Sequence, residues 1–213
     1  MVDVSLESIS SFAKWLQHYG VDAIADVRSV PYSKFRPEFN KENLINTLKK
    51  NGVKYVFLGD YCGVRFNDLS CYVDGYVDYI KVKETNKFKS GIERIINGLA
   101  NYNISLLCAE KDPINCHRDI LICRNLKSFN IPINHILADG MLEKNENTEK
   151  RLLKIFELDT IELFISPEEQ LEIAYDRQGK NIAYKLQQEE MIDRFNYTQL
   201  VIPINLQKDC FHY

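Results

Sequence analysis

The chain has 213 residues, 27 Lys+Arg against 30 Asp+Glu for a formal net charge of −3, and 45% hydrophobic residues, the profile of a folded globular protein. That length supports one full-sized core with a smaller appendage and excludes a miniature scaffold held by cross-links alone. No stretch approaches the roughly 18 to 20 uncharged apolar residues of a membrane span, and the opening Met1-Val2-Asp3-Val4-Ser5 has no basic region followed by an apolar block, so a soluble cytoplasmic protein is expected.

Leu6, Ile9, Phe12, Ala13 and Leu16 recur at helical spacing, with Gly20 where a C-terminal cap falls. Residues 21–27 are short and mostly apolar and predict a buried parallel strand, with Asp26 near its carboxyl end. Asn40 is placed to cap a second helix bearing Leu44, Ile45 and Leu48, which stops at Asn51-Gly52 before a strand over 55–58. Phe88, Ile92, Ile95, Ile96 and Leu99 predict a third helix, residues 104–108 a third strand, Ile120, Leu121 and Leu126 a following helix, and residues 133–137 a last strand.

Strands alternating with helices predict an α/β fold, a mostly parallel sheet covered on both faces in three layers, because each parallel crossover returns through a helix. In such folds ligands gather at the carboxyl ends of the strands. The α/β domain is expected over residues 1–140. Residues 141–213 are expected to be a helical extension packed on it, opening with the charged connection Glu143 to Asn147. Within it, Ser166-Pro167-Glu168-Glu169 has the cap, proline and glutamate of a helix start, with Ala174, Tyr175, Ile182 and Leu186 on the buried face and Gly179 as a weak point.

Three loops follow three of these strands. The first, Asp26 to Pro37, holds Arg28, Lys34 and Arg36 within nine residues, restrained by Pro31 and Pro37. It suits an anionic substrate, with Asp26 moving protons and Arg28 and Ser33 binding; the alternative is a structural Asp26–Arg28 ion pair. The second, Gly59 to Arg65, has two glycines that permit close backbone approach, and Arg65 as a binding candidate. A plain turn explains these glycines equally well.

The third loop, Cys108 to Asp119, places Cys116, His117 and Arg118 in succession. With Asn115 as cap, these three fall in the first helical turn, where free N–H groups and the dipole favour anions and lower a thiol pKa. Arg118 is then expected to fork onto the anion and His117 and Glu110 to carry protons. Cys116 is either a hydrogen-bond donor or a nucleophile. A phosphatase-like cradle needs a cysteine six positions before an arginine, which neither Cys108 nor Cys116 provides. Zinc wants about four ligands in spaced pairs, whereas Cys116 and His117 are adjacent and would diverge by roughly 100° on a helix; no metal site is expected. Cys108, ending an apolar strand, reads as a small core residue, as do Cys71, Cys123 and His135. Cys62 and Cys210 complete six irregularly spaced cysteines, read as free thiols of a reducing compartment. Tyr72, Tyr76 and Tyr79, at helical spacing, read as core more readily than as a base-stacking platform. The mild acidic balance argues against a surface built as a whole for polyanions.

These residues resemble a family called domain of unknown function 488. The resemblance rests on Asp26-Val27-Arg28 with Pro31-Tyr32-Ser33, on Tyr55 and Leu58-Gly59 before Gly63, and on Cys108-x-Glu110-x-Asp112-Pro113-x-x-Cys116-His117-Arg118, and it spans most of residues 5–140. Ala174-Tyr175-Asp176-Arg177 is similar to the tails of longer members. The resemblance implies an α/β sheet with the three motifs at one edge, and it implies no established activity. Members typically open with a strand ending in Thr-Ile-Gly followed by His or Tyr, and this chain is read as starting at the helix after it, leaving an inner strand position to be filled by another segment or chain. The family's usual second glycine after Gly63 is Val64.

The leading expectation is an enzyme acting on a phosphate-bearing small molecule or nucleic-acid component, with no assigned cofactor, no membrane partner and a homo-oligomer allowed. The alternatives are a non-catalytic nucleic-acid or regulatory binding module, and a metal-binding module using Cys108, Cys116 and His117.

Overall fold

A computed structural model describes residues 2–3 and 8–187; Leu6, Cys210 and the extension past residue 187 lie outside them. In chain order the elements are strand β1 (Val2–Asp3), helix α1 (Ile9–His18), β2 (Ala23–Asp26), α2 (Lys41–Lys50), β3 (Lys54–Phe57) and the single turn α3 (Gly59–Cys62). A hairpin β4 (Tyr72–Val73) and β5 (Tyr76–Val77) leads to α4 (Tyr79–Glu84), α5 (Asn86–Leu99) and β6 (Ile104–Cys108). After the third loop a wide helical turn (Arg118–Cys123) runs into α6 (Arg124–Lys127), followed by β7 (Asn134–Ile136), β8 (Leu142–Lys144), α7 (Asn145–Ile155) and α8 (Pro167–Asn181). None of the described helices is long and apolar enough to cross a membrane.

The main sheet has the order β3-β2-β6-β1-β7-β8, parallel except for the β7–β8 pair. Strand pleating sends alternate side chains to opposite faces. Ile24 and Leu107 pack with Phe12 and Leu16 of α1 and Leu44 and Leu48 of α2 on one face. Ala25, Leu106 and Cys108 pack on the other face with Phe88, Ile92 and Ile95 of α5, Ile120 and Leu121, Leu152 of α7, and Ala174 and Tyr175 of α8. The result is the three-layer α/β fold expected, with the C-terminal helices sharing the second core.

Local chemistry sets the ends of several elements. Gly20 and Gly52 have φ of +63° and +72° after α1 and α2, the left-handed conformation that ends a helix most readily at glycine. Ser166 and Glu169 form a reciprocal capping box at α8, with Pro167 in the first position. Asn40 precedes α2 as expected, but its Oδ1 accepts from the Ser33 backbone N–H at 2.6 Å instead of capping the helix.

Several expectations change. The inner strand position read as vacant is filled by Val2–Asp3, which pairs in parallel with both β6 and β7. Tyr72 and Tyr76 lie on a hairpin around Asp74-Gly75, both at positive φ, so their spacing is that of two strands and a turn and not of one helix. Tyr79 is buried in the core, Tyr72 packs against it half-buried, and Tyr76 is exposed. Glu143 and Lys144 belong to β8, so the β7–β8 hairpin carries the sheet past residue 140. Helix α8 ends at Asn181, placing the buried Leu186 beyond it. Gly179 is buried in α8, where its missing Cβ lets the Tyr79 ring approach to 3.2 Å from where that carbon would stand.

Candidate functional site

Parallel neighbours β3, β2 and β6 end at one edge of the sheet, so the three loops issue side by side. In the first, Asp26 and Arg28 are both buried. Arg28 donates from Nε to Asp26 Oδ1 at 2.9 Å, from Nη2 to Oδ2 at 2.6 Å, and from Nη2 to the Phe39 carbonyl at 3.1 Å. The Tyr55 hydroxyl adds a bond to Asp26 Oδ2 at 2.9 Å. This fork matches carboxylate to guanidinium with two parallel bonds, and each group is held by the other. Ser33 works within its own loop, its Oγ accepting from the N–H groups of Phe35 and Arg36 at 3.2 Å each.

In the second loop both glycines answer a packing need. A Cβ on Gly59 would stand 2.1 Å from the Arg28 carbonyl oxygen, and one on Gly63 2.4 Å from Ser29 Oγ. Arg65 is exposed, donates from its backbone N–H to Ser29 Oγ at 3.0 Å and lies over the Tyr184 ring. Ser29, Gly59, Asp60, Gly63, Arg65 and Lys87 line a polar cleft of about 290 Å³.

The third loop departs most from the helical expectation. Asp112 Oδ1 accepts from the Ile114 N–H at 3.1 Å and starts a tight turn over Pro113–Asn115. Cys116 is extended, with φ −126° and ψ 132°, and its carbonyl takes the N–H groups of Asp119 and Ile120 at 3.1 Å each. Cys116, and not Asn115, therefore stands at the helix start, and the helix proper begins at Arg118. Two helices outside this loop clasp it: Arg151 of α7 bonds both Asp112 oxygens at 3.0 Å, and Gln178 of α8 donates to the Ile114 carbonyl and Asn115 Oδ1 at 3.0 Å each.

With Cys116 extended, the adjacent side chains of Cys116 and His117 converge instead of diverging. One donor atom from each of Cys108, Glu110, Cys116 and His117 lies within 4.8 Å of all the others. The Cys108 and Cys116 thiols both donate to Glu110 Oε2, at 2.8 and 3.2 Å, and Cys108 Sγ lies 3.4 Å from His117 Nδ1. His117 Nε2 lies 3.2 Å from the Val27 carbonyl. A carbonyl only accepts, so Nε2 carries a hydrogen and Nδ1 is the ring atom turned to the cluster; burial by itself would lower the imidazole, but Cys116, Glu110 and the Val27 carbonyl outweigh it and raise its pKa. Burial pushes the Cys116 thiol well above its ordinary range. Burial also acts to raise the Glu110 carboxyl, but the two thiol bonds and His117 outweigh it and hold the carboxyl low.

Of the residues singled out from sequence, Glu110, Cys116 and His117 meet here, joined by Cys108, which the sequence reading assigned to the core. Cys108 is indeed buried, yet its sulfur faces the cluster; its position at the carboxyl end of a strand was the available signal. Arg118 is fully buried, with Nη2 on the Glu110 carbonyl at 3.2 Å. Arg118 does lie in the first helical turn as expected, but there it is turned into the core instead of toward an anion.

The family model described as "Domain of unknown function DUF488" matches residues 8–124, more than half of the chain. The chain belongs to the DUF488 family. No curated protein and no solved structure matches it. All four members of the DUF488 cluster fall inside the matched segment, whereas Arg151 and Gln178, which clasp the loop, come from helices after it.

Proposed function

We propose that this DUF488 protein binds a divalent transition-metal ion of the zinc class through Cys108, Cys116 and His117, with Glu110 at the fourth corner. The observation that carries the reading is the convergence of the four donors on one point. For zinc bonds of about 2.3 Å to sulfur and about 2.0 Å to nitrogen or oxygen, tetrahedral geometry puts neighbouring ligand atoms roughly 3.3–3.8 Å apart. The 3.4 Å between Cys108 Sγ and His117 Nδ1 already has that length, and the 2.8 and 3.2 Å thiol–carboxylate contacts need to open by less than about 1 Å. The His117 Nε2 bond to a backbone carbonyl is the outer-shell contact that orients a ligating imidazole. Soft thiolates beside an imidazole favour zinc over magnesium or calcium. In the ion-free protein the two thiol protons occupy the space between sulfur and carboxylate, and binding would release them.

Elemental analysis of protein purified without added metal, followed by zinc titration, tests this. One zinc per chain is expected, lost on Cys116→Ala or His117→Ala. Free zinc at 100 times its dissociation constant should stabilise the fold by about 2.7 kcal/mol. Wild-type protein that neither carries zinc nor is stabilised by it would refute the reading.

A second reading, a phosphate-bearing substrate, is favoured by one observation, the polar cleft with Arg65 and Lys87 on its wall. Arg28 and Arg118 do not support it, since one is forked onto Asp26 and the other is fully buried. Stabilisation by inorganic phosphate or nucleotides, lost on Arg65→Ala, is its test; no shift with any of them counts against it.

A further inference from the structure

Strand β3 is the outer strand of the main sheet. Its Lys54 N–H and the N–H of Leu58 just beyond it bond to the Asp22 and Asp26 carbonyls on the β2 side, at 2.9 and 2.8 Å. By strand alternation the backbone groups of Tyr55 and Phe57 face the other way, where no described strand stands beside them. Such an edge is a template for one more strand. Val56 is 41% exposed on it, and its register with Ala25 puts both on the face that α5 packs against. Between this edge and α5 lies an apolar hollow of about 280 Å³, walled by Ala23, Ala25, Val56, Ile95 and Ile104. A second hollow, beside α2, is walled by Ile45, Val53 and Tyr55. The cations on the two walls are Lys49, Lys54 and Arg94, and neither wall holds a carboxylate.

The complementary character is found in the connection between α7 and α8. Ile161, Leu163 and Phe164 are 103%, 85% and 90% exposed, so the fold leaves three large apolar side chains in water within four residues. Residues 157–165 include Glu157, Asp159 and Glu162 and no Lys or Arg. Extended, the run sends Ile161, Leu163 and Ile165 to one side and Thr160, Glu162 and Phe164 to the other. Contiguous exposed apolar side chains rimmed by polar ones mark a surface that another molecule covers.

We propose that these two surfaces belong together: residues 161–165 of one copy of this chain add as a strand to the β3 edge of a second copy. Ile161, Leu163 and Ile165 then cover Val56 and enter the apolar hollow, Glu162 meets Lys49 on the opposite side, and Tyr55 and Phe57 gain backbone partners. Lysines on an edge deter indiscriminate pairing and set two β3 edges against each other by like charge. An acidic strand is the partner they admit. The contact joins two different patches, so two copies either exchange it reciprocally in a closed dimer or add head to tail.

Analytical ultracentrifugation of the full chain should show self-association with a Kd below about 100 μM, the range of a small interface. Val56→Glu and Leu163→Asp should each weaken it by at least about 30-fold, the size of a hot-spot loss, with the circular dichroism of both unchanged. Glu162→Lys, which sets a cation against the basic edge, should weaken it by at least about threefold. An equimolar mixture of the Val56→Glu and Leu163→Asp proteins should associate again, because one supplies an intact 161–165 segment and the other an intact β3 edge. That rescue separates a contact between unlike patches from one that joins loop to loop or edge to edge. A benzophenone side chain in place of Asn97, on the wall of the hollow, should cross-link on irradiation to residues 157–165 of another copy. Wild type that stays monomeric at several times 100 μM, variants that associate as wild type does, a mixture no better than either variant alone, or a cross-link to any other segment would each overturn the proposal.

Discussion

Removing the Arg28 guanidinium should destabilise the protein by about 3–5 kcal/mol, because it leaves the Asp26 carboxylate buried without its counter-charge. In Arg28→Met the carboxylate loses bonds of 2.9 and 2.6 Å and keeps only the Tyr55 hydroxyl and the residue-28 backbone N–H, while the Phe39 carbonyl loses its donor at 3.1 Å. Against a typical total of about 5–15 kcal/mol, that is a large fraction of the stability. The double variant Asp26→Asn/Arg28→Met buries no charge and should cost less than Arg28→Met alone, giving a coupling of about 2–3 kcal/mol. Urea unfolding of wild type, both single variants and the double variant measures this, with fluorescence and circular dichroism followed together to check for one cooperative transition. Single losses below about 1 kcal/mol that simply add would refute the structural ion pair and return Arg28 to the list of ligand-binding groups.

Burial pushes the His135 imidazole down to about 3, with Asn145 Oδ1 2.8 Å from Nε2, Asp119 Oδ1 at 3.6 Å, and Arg118 and Arg151 contributing repulsion. The folded state therefore resists a proton that the unfolded chain accepts near pH 6.5, and stability is full above that pH and lost as pH falls. About 2 kcal/mol should go between pH 7.5 and pH 5 through this group, and His135→Gln should flatten that part of the profile; an unchanged slope in pH-dependent urea unfolding would refute the assignment. Gly59→Ala should cost at least about 1–3 kcal/mol, since its Cβ would overlap the Arg28 carbonyl at 2.1 Å and the Phe57 ring at 2.6 Å, and an unchanged thermal midpoint would contradict that packing. Ser166→Ala should cost about 1 kcal/mol by dissolving half of the α8 capping box, and no change in urea midpoint would show that this box contributes nothing.

The sequence by itself determined the order of helices and strands, the parallel sheet and the edge at which the loops meet, because these follow from short-range regularities. Apolar residues at helical spacing marked α1, α2 and α5, glycines at positive φ ended two of those helices, and an apolar run ending in Cys108 placed the third loop at the carboxyl end of β6. Segments without a local signal were settled only by tertiary structure. Two residues cannot announce a strand, yet Val2–Asp3 fills an inner position because β6 and β7 offer backbone partners on both sides. The candidate site shows the same division. The residue types were legible, but the rejection of a metal rested on Cys116 and His117 sharing a helix. That premise failed because the Asp112-Pro113 turn, clasped by Arg151 and Gln178 from far along the chain, holds Cys116 extended. The His117 ring is oriented by the Val27 carbonyl 90 residues away. Periodicity reports which face of an element is buried, while the direction of a side chain on an irregular loop is set by whatever distant backbone packs against it.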